Sequence, residues 1–329
     1  MTTVMIDGFG RRVSYVRLSV TDRCDFRCRY CMAEEMHFRP SSELLSFNEI
    51  ETLADLLIER GVTKLRLTGG EPLVRRGILD LVERLGKRIG RGLDELVLTT
   101  NGSQLAAAAE RLFASGVRRV NVSLDSLDAE RFGHITRRGR LDQVVAGIAA
   151  AKAAGLKVKI NMVALRGLNE DGIEPMLRWC GGQGFDLTLI ETMPLGEVDE
   201  DRTTHYLPLG EVKRKLQERF TLVPSLTRTG GPARYFDVAE LGMRLGLITP
   251  ISENFCSGCN RIRVTATGTV YGCLGHDRNV ELRDLLRLGD LAGTAAALDT
   301  LIADKPERHR FEIAAAQPAV DRHMSVTGG

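Results

Sequence analysis

Tyr15-Val16-Arg17-Leu18-Ser19-Val20, followed by Cys24-Asp25-Phe26-Arg27-Cys28-Arg29-Tyr30-Cys31, decides how the rest of the chain is read. The first six residues have the content of a β-strand. The loop after them carries three thiols within eight residues. A second strand, 64–67, runs into Thr68-Gly69-Gly70-Glu71-Pro72. Further strands are expected at 95–99, 119–124, 157–163 and 187–191. Between them, apolar residues recur at helical spacing over 47–59, 78–89, 105–115, 141–154 and 174–180. Gly61, Gly116 and Gly155 stand where helix C-terminal caps belong. Repeated βα units predict a parallel sheet with right-handed crossovers. Six units are too few to close an eight-stranded barrel.

In such sheets the working groups gather at the C-terminal ends of the strands. The polar motifs obey that rule. The cysteine loop follows the first strand and the Gly-Gly turn the second. Thr99-Thr100-Asn101-Gly102 ends the third, Asn121-Val122-Ser123-Leu124-Asp125 the fourth, and Met193-Pro194 follows the sixth. Lys159 and Asn161 lie on the fifth. A change of composition over 221–250 places a domain boundary there, giving 1–223 and 224–329. The charged run 304–310 reads as a solvated face.

Composition narrows the class. The chain has 329 residues, enough for about two domains. Its 45 Lys+Arg and 43 Asp+Glu give a net charge of +2, which excludes a polybasic nucleic-acid coat. Aromatics make up 5%, too few for a base-stacking surface. No apolar run reaches the ~18 residues of a membrane-spanning helix. The start of the chain, with Asp7, Arg11 and Arg12, lacks the apolar stretch of a secretory leader. These features predict a cytoplasmic enzyme with no nucleic-acid or membrane partner.

Seven cysteines, an odd number, argue against a disulfide framework. Cys24, Cys28 and Cys31 form one set, and Cys256, Cys259 and Cys273 another; Cys180 stands alone and reads as a buried thiol. Neither set has an obvious fourth thiol. Structural zinc sites take four ligands. Three thiolates instead suit a [4Fe–4S] cube with one iron left open to a substrate or cofactor. Two zinc readings stay open: a knuckle that borrows a distant ligand, and a Cys3His site completed by His276.

The first cysteine loop and the Gly-Gly-Glu-Pro turn resemble those of the radical S-adenosylmethionine (SAM) superfamily. The stretch from Phe255 to Leu274, with Cys256-Ser-Gly-Cys259-Asn-Arg261-Ile262-Arg263 and Cys273, is similar to the GTP 3′,8-cyclase family of molybdenum cofactor biosynthesis. The final Met324-Ser-Val-Thr-Gly328-Gly329 matches that family's double-glycine tail, which reaches into its active site. The resemblance runs through the whole chain.

It implies an α/β fold, an open (β/α)6 partial barrel with a C-terminal cluster domain over its open side. It implies two [4Fe–4S] clusters, with Cys24, Cys28 and Cys31 holding the one that cleaves SAM. Cys256, Cys259 and Cys273 would hold the one that orients GTP. Tyr30 (through its backbone), Gly70, Ser123 and Met193 would contact SAM. Arg17, Arg66, Thr99, Lys159, Arg261, Ile262 and Arg263 would contact GTP, with Ile262 contributing packing or backbone. Arg261, Arg263, Gly328 and Gly329 would surround the chemistry. For a lone strand arginine a surface position is the commoner outcome, yet alternate strand residues share a face, so such a residue can point inward.

The implied reaction removes the ribose C3′ hydrogen of GTP with a 5′-deoxyadenosyl radical and joins C3′ to guanine C8. An external one-electron reductant, a homodimer and a downstream cyclic pyranopterin monophosphate synthase complete the implied partners. A peptide-modifying radical SAM enzyme and a zinc-stabilised nucleotide-binding module are the alternatives.

Overall fold

Alternation along each strand decides which way the sheet faces. The computed structural model describes residues 4–196, 198, 203–313 and 318–328. In chain order it contains β1 (Tyr15–Ser19), α1 (Phe47–Glu59), β2 (Lys64–Thr68), α2 (Ile78–Gly86), β3 (Glu95–Thr100), α3 (Leu105–Ala114), β4 (Arg119–Ser123), α4 (Ala129–Thr136), α5 (Leu141–Ala153), β5 (Lys157–Ala164), α6 (Ile173–Gln183) and β6 (Asp186–Glu191). Then come α7 (Leu209–Gln217), β7 (Leu222–Pro224), β8 (Arg234–Val238), β9 (Met243–Ile248), β10 (Arg261–Val264), β11 (Thr269–Tyr271), β12 (Asn279–Glu281), α8 (Arg283–Arg287), α9 (Leu291–Ala303) and α10 (Met324–Thr327).

The six expected strands are present within one or two residues of their expected bounds. They pair in chain order, all parallel. One face is apolar: Val16 and Leu18, Leu65 and Leu67, Leu96 and Leu98, Val120 and Val122, Ile160 and Met162, Leu187 and Leu189 are all buried. They share a core with Ile50, Leu53 and Leu57 of α1, Leu81 and Leu85 of α2, and Leu105 and Leu112 of α3. The other face carries Tyr15 and Arg17, Lys64 and Arg66, Thr99, Asn121 and Ser123, Lys159 and Asn161. The interior of this barrel is therefore polar, unlike the hydrophobic fill of a closed (β/α)8 barrel.

Local signals explain the element ends. Ser46 and Glu49 form a reciprocal capping box at the start of α1. Gly61, Gly116 and Gly155 follow α1, α3 and α5 with φ of 91°, 90° and 87°, as expected of C-terminal caps. The helix α4, between β4 and α5, was not foreseen from apolar spacing; its short, polar sequence is nucleated by Asp128, which accepts from the Arg131 amide at 2.7 Å.

The sheet is open, and the C-terminal segment extends both of its edges. The order is β12-β11-β10-β1-β2-β3-β4-β5-β6-β9-β8-β7. β10 runs parallel to β1, and β9 runs parallel to β6. Edge strands leave a row of unpaired backbone groups, and these additions satisfy them. The segment after β6 thus flanks the barrel on two sides besides reaching over it. The charged run 304–310 is only partly the solvated face expected of it. Most of it is exposed, but Lys305 is buried at 3% accessibility, at the end of α9, because its ammonium faces the buried Asp7 carboxylate.

One side chain ties the barrel to the later segment. Glu191, fully buried at the end of β6, accepts from the amides of Leu209, Ile251 and Ser252 at 3.1 Å each, and from the Ser252 hydroxyl. Glu191→Gln presents an amide hydrogen to some of these donors and leaves them unpaired. It should destabilise the fold by about 2 kcal/mol, read as a lower denaturant midpoint. An unchanged midpoint would remove Glu191 as the tie.

Candidate functional site

The concave face opens into two adjoining cavities, with one cysteine set on each. The first is a cleft of ≈ 1120 Å³, open mouth included, lined by Cys24, Cys28, Cys31, Tyr30, Gly70, Ser123 and Met193. The second, of ≈ 1110 Å³ on the same basis, is lined by Cys256, Cys259, Cys273, Arg17, Arg66, Lys159, Arg261, Ile262 and Arg263. Asn161, Ile190, Met193 and Met324 line both, so the two spaces meet. Of the residues expected at GTP, Thr99 lies apart: it lines the first cavity and reaches the second through Arg66, whose Nη1 donates to its hydroxyl at 2.8 Å. All seven cysteines are free thiols. Cys180 is fully buried within α6, as expected.

The first cysteine loop is held by its backbone and by a polar cluster beneath it. The Cys31 amide donates to the Cys28 carbonyl at 2.9 Å. The amides of Arg27 and Arg29 donate to the last carbonyls of α4, at Thr136 and Ile135, both at 3.0 Å. Asp25 accepts from Asn101 Nδ2 and Ser103 Oγ, each at 2.6 Å. The Gly-Gly turn packs against the same loop. Gly70 N donates to Thr21 O and Glu71 N to Arg23 O, both at 2.8 Å. A Cβ on Gly69 or Gly70 would come within 2.5 or 2.4 Å of those carbonyls. These glycines therefore let the turn approach the chain's own backbone, in addition to leaving room over the cavity. Glu71, buried below, accepts from Leu73 N, Thr100 Oγ1 and Asn101 N at 2.6–2.9 Å, while burial pushes its pKa up to about 7.

The chemistry of the donor set suits a cationic metal cluster, although among the described residues no three His, Cys, Asp or Glu side chains are gathered as for a single metal ion. Burial pushes Cys24 up to about 12 and Cys31 up to about 11, and raises Cys28 as well. Three neighbouring thiolates in that setting require a strong positive partner, which a cluster's irons supply. In the second set burial raises Cys273, whereas Cys259 lies below its usual value: burial opposes this, but Arg261 and Lys305 outweigh it. His276 does not turn toward the second set; its Nε2 faces the Arg308 carbonyl at 3.0 Å.

Register makes the second cavity strongly cationic. Arg263, Arg17 and Arg66 are direct cross-strand neighbours on β10, β1 and β2. Asn121 and Lys159 are neighbours on β4 and β5. Burial lowers Arg17 to about 10, with Arg66 and Arg261 adding repulsion, and burial lowers Arg263 as well, with Arg17 and Arg261 adding repulsion. Lys159 falls to about 7 by burial and by repulsion from Arg66 and Arg119; its ammonium donates to the Tyr235 hydroxyl. Tyr15 also falls to about 7: burial alone would raise it, but Arg66, Arg17, Lys64 and Arg261 favour the phenolate. The carboxylates nearest the row are already engaged: Glu95 with Lys64 and Arg119, and Asp186 with Arg244, each at 2.6 Å. Arg66 Nε and the Oδ1 atoms of Asn121 and Asn161 are buried and have no protein partner. Arg66 Nε calls for an anionic or acceptor group, and the two amide oxygens for hydrogen-bond donors, so the occupant must offer both.

The tail passes between the two spaces. Arg263 Nη1 donates to the carbonyls of Thr327, at 3.2 Å, and Gly328. Gly328 has φ of 78°, and a Cβ there would overlap Thr68 Oγ1. Gly329 lies outside the described residues. Ile262, fully buried, pairs in register with Val16 on the apolar face, so it packs. Tyr30 does more than offer its backbone: its hydroxyl donates to Asp125 Oδ2 at 2.7 Å. Tyr15, Tyr235 and Lys305 belong to none of the sequence motifs. Only Tyr15 had a local signal, two residues before Arg17 on the same face.

Comparison with known proteins agrees with this geometry. The profile of the Radical SAM superfamily matches residues 18–180, and that of Molybdenum Cofactor Synthesis C matches 185–311. A GTP 3′,8-cyclase of Erythrobacter litoralis is 57% identical over 99% of this chain and 98% of its own length. A GTP 3′,8-cyclase of Rhizobium meliloti is 58% identical over 100% and 95%. In fold, the chain is similar to native anSMEcpe with bound AdoMet, at TM-score 0.62, 15% identity and coverage of 88% and 83%. It is also similar to Streptococcus suis SuiB bound to S-adenosylmethionine, at TM-score 0.59, 16% identity and coverage of 85% and 64%.

The depressed values of Lys159 and Tyr15 fix a sign. Both groups hold fewer protons folded than unfolded between pH 7 and about 10, so stability rises with pH there. The raised cysteines act oppositely above pH 9, which leaves a window of about pH 7–9. Stability of the metal-free protein should rise across it, by up to ~1.4 kcal/mol per pH unit per group. Lys159→Met should flatten the slope in denaturation series at several pH values. An unchanged slope would contradict the burial argument.

Proposed function

This chain belongs to the GTP 3′,8-cyclase family of the radical SAM superfamily, and from that membership we infer that it converts GTP to (8S)-3′,8-cyclo-7,8-dihydroguanosine 5′-triphosphate, the first step of molybdenum cofactor biosynthesis. It is a lyase that uses SAM and [4Fe–4S] clusters. When bound, the clusters and SAM supply a 5′-deoxyadenosyl radical that removes the C3′ hydrogen and permits C3′–C8 closure.

The residues supply placement. Cys24, Cys28 and Cys31 would hold the first cluster, with Gly70, Ser123, Met193 and the Tyr30 backbone around SAM. Cys256, Cys259 and Cys273 would hold the second. Arg17, Arg66, Arg261, Arg263 and Lys159 would take the negative charge of the triphosphate, guanidinium forks suiting phosphate oxygens. Thr99 would act through Arg66 by fixing its guanidinium. Arg263 would also seat the tail at Gly328, and Gly329 would follow it toward the substrate. The carrying observation is the pair of adjoining cavities, each with one cysteine set, which share Asn161, Ile190, Met193 and Met324. Two reactants in contiguous spaces gain the advantage of proximity, and a covered chamber keeps water from a reactive radical.

The proposed division into residues 1–223 and 224–329 rests on the change of composition over 221–250, and cytoplasmic placement on the sequence features above. An external one-electron reductant, a homodimer and a cyclic pyranopterin monophosphate synthase acting on the product are proposed from family membership. No helix among the described residues is long and apolar enough to cross a membrane.

The division of labour is tested by two variants. Cys24→Ala should abolish SAM cleavage. Cys256→Ala should keep uncoupled SAM cleavage to 5′-deoxyadenosine while losing cyclised product. Equal loss of SAM cleavage in both would refute separate roles for the two sets.

A further inference from the structure

A second set of charges lies behind the second cysteine triplet, on the side away from the substrate cavity. Asp7 is buried, and its Oδ2 accepts from Arg11 Nε at 2.6 Å. The Arg11 guanidinium also donates to the carbonyls of Cys256 at 2.8 Å, Glu307 at 2.6 Å and Pro306 at 2.7 Å. Lys305 reaches the same carboxylate less closely, with Nζ 3.9 Å from Asp7 Oδ2 and a side chain 1% exposed. Its stem lies along the loop that carries Cys273: a Cβ built on Gly272 would meet Lys305 Cγ at 3.5 Å. Its charge favours the thiolate form of both Cys259 and Cys273.

Charge counting gives this arrangement a purpose. One buried carboxylate faces two buried cations, and the closer contact belongs to Arg11. The Lys305 ammonium is thus left with net positive charge in a water-poor place. Uncompensated charge there is costly unless an anion lies beside it. The adjacent anion is the cysteinate set. A [4Fe–4S] core on three thiolates is net negative, and more so after reduction. Hydrogen bonds to sulfur and nearby charge are established levers on cluster potential. Arg261 faces Cys259 from the cavity side, its Nη2 4.0 Å from the sulfur, and is open to the substrate's own charge. Lys305 is shielded from the substrate and acts as a constant.

We propose that Lys305 is a positioning residue for the second cluster: its buried ammonium, standing behind the loop that carries Cys273, raises the cluster's reduction potential, with Asp7 and Arg11 fixing where it stands. This rests on the assignment of Cys256, Cys259 and Cys273 to that cluster. It also explains why the beginning of the chain is buried against residues 305–307: the two segments together close the back of the cluster loop.

The experiment uses the full chain with Cys24, Cys28 and Cys31 changed to Ala, so that only the second site can load. Iron is counted first, and the potential is then read by electron paramagnetic resonance during a dithionite titration. Lys305→Met should shift the potential to more negative values by at least tenfold in the reduction equilibrium, ~59 mV for one electron. Lys305→Arg should restore most of the shift. Asp7→Asn, which removes the opposing charge, should move it in the positive direction, a sign that simple loosening of the loop would not produce. A Lys305→Met cluster at the parent potential, or shifts of the same sign in both variants, would overturn the proposal. If Lys305→Met fails to load, the Asp7→Asn shift alone decides. No iron in the parent would overturn the cysteine assignment and the proposal with it.

Discussion

Positive charge buried on the concave face of the sheet is the constraint on which the rest depends. Arg263, Arg17 and Arg66 stand in one register row across three adjacent strands, with Lys159 further along the sheet. Taking them from water is expensive, and their mutual repulsion adds to the cost. The carboxylates nearest them, Glu95 and Asp186, are occupied by Lys64, Arg119 and Arg244. A fold that keeps such a row must recover its cost from a polyanionic ligand, and GTP meets that demand. Burial, with repulsion from Arg66 and Arg119, draws Lys159 down to about 7, and the cations draw Tyr15 down to about 7 against its burial.

The opposite face supports this arrangement. Its leucines, valines and isoleucines pack on the helices and supply the ordinary hydrophobic stability of an α/β domain. Because the barrel is open, both edge strands need partners, and the C-terminal segment provides β10 on one side and β9 on the other. That pairing has a functional consequence. It brings Arg261 and Arg263 into register with Tyr15 and Arg17, and carries Cys256 and Cys259 to the rim of the same cavity. The pairing that completes the sheet also assembles the site, with Glu191 and the Arg11–Asp7–Lys305 cluster as fasteners.

Much of this was legible in the sequence, for physical reasons. Strands 64–67 and 119–124 have a strict period of two, and 47–59 has both a helical stripe and a capping box. The cysteine sets and the Gly-Gly turn are local patterns whose chemistry depends on spacing. What stayed hidden was non-local. Nothing near Lys305 signals burial, because its partner is Asp7 at the far end of the chain. The added edge strands are short, and only their pairing defines them. Thr99 shows a third limit: its position was legible, but its hydrogen bond to Arg66 depends on the two strands lying side by side.

Two clusters and GTP acting in one chamber are what this fold is built to provide. Iron and sulfide should be counted in the anaerobically reconstituted chain, and SAM cleavage then followed with and without GTP. About eight irons per chain and GTP-dependent formation of the 3′,8-cyclised nucleotide are expected. About four irons with SAM cleavage indifferent to GTP, or zinc in place of iron, would contradict that arrangement.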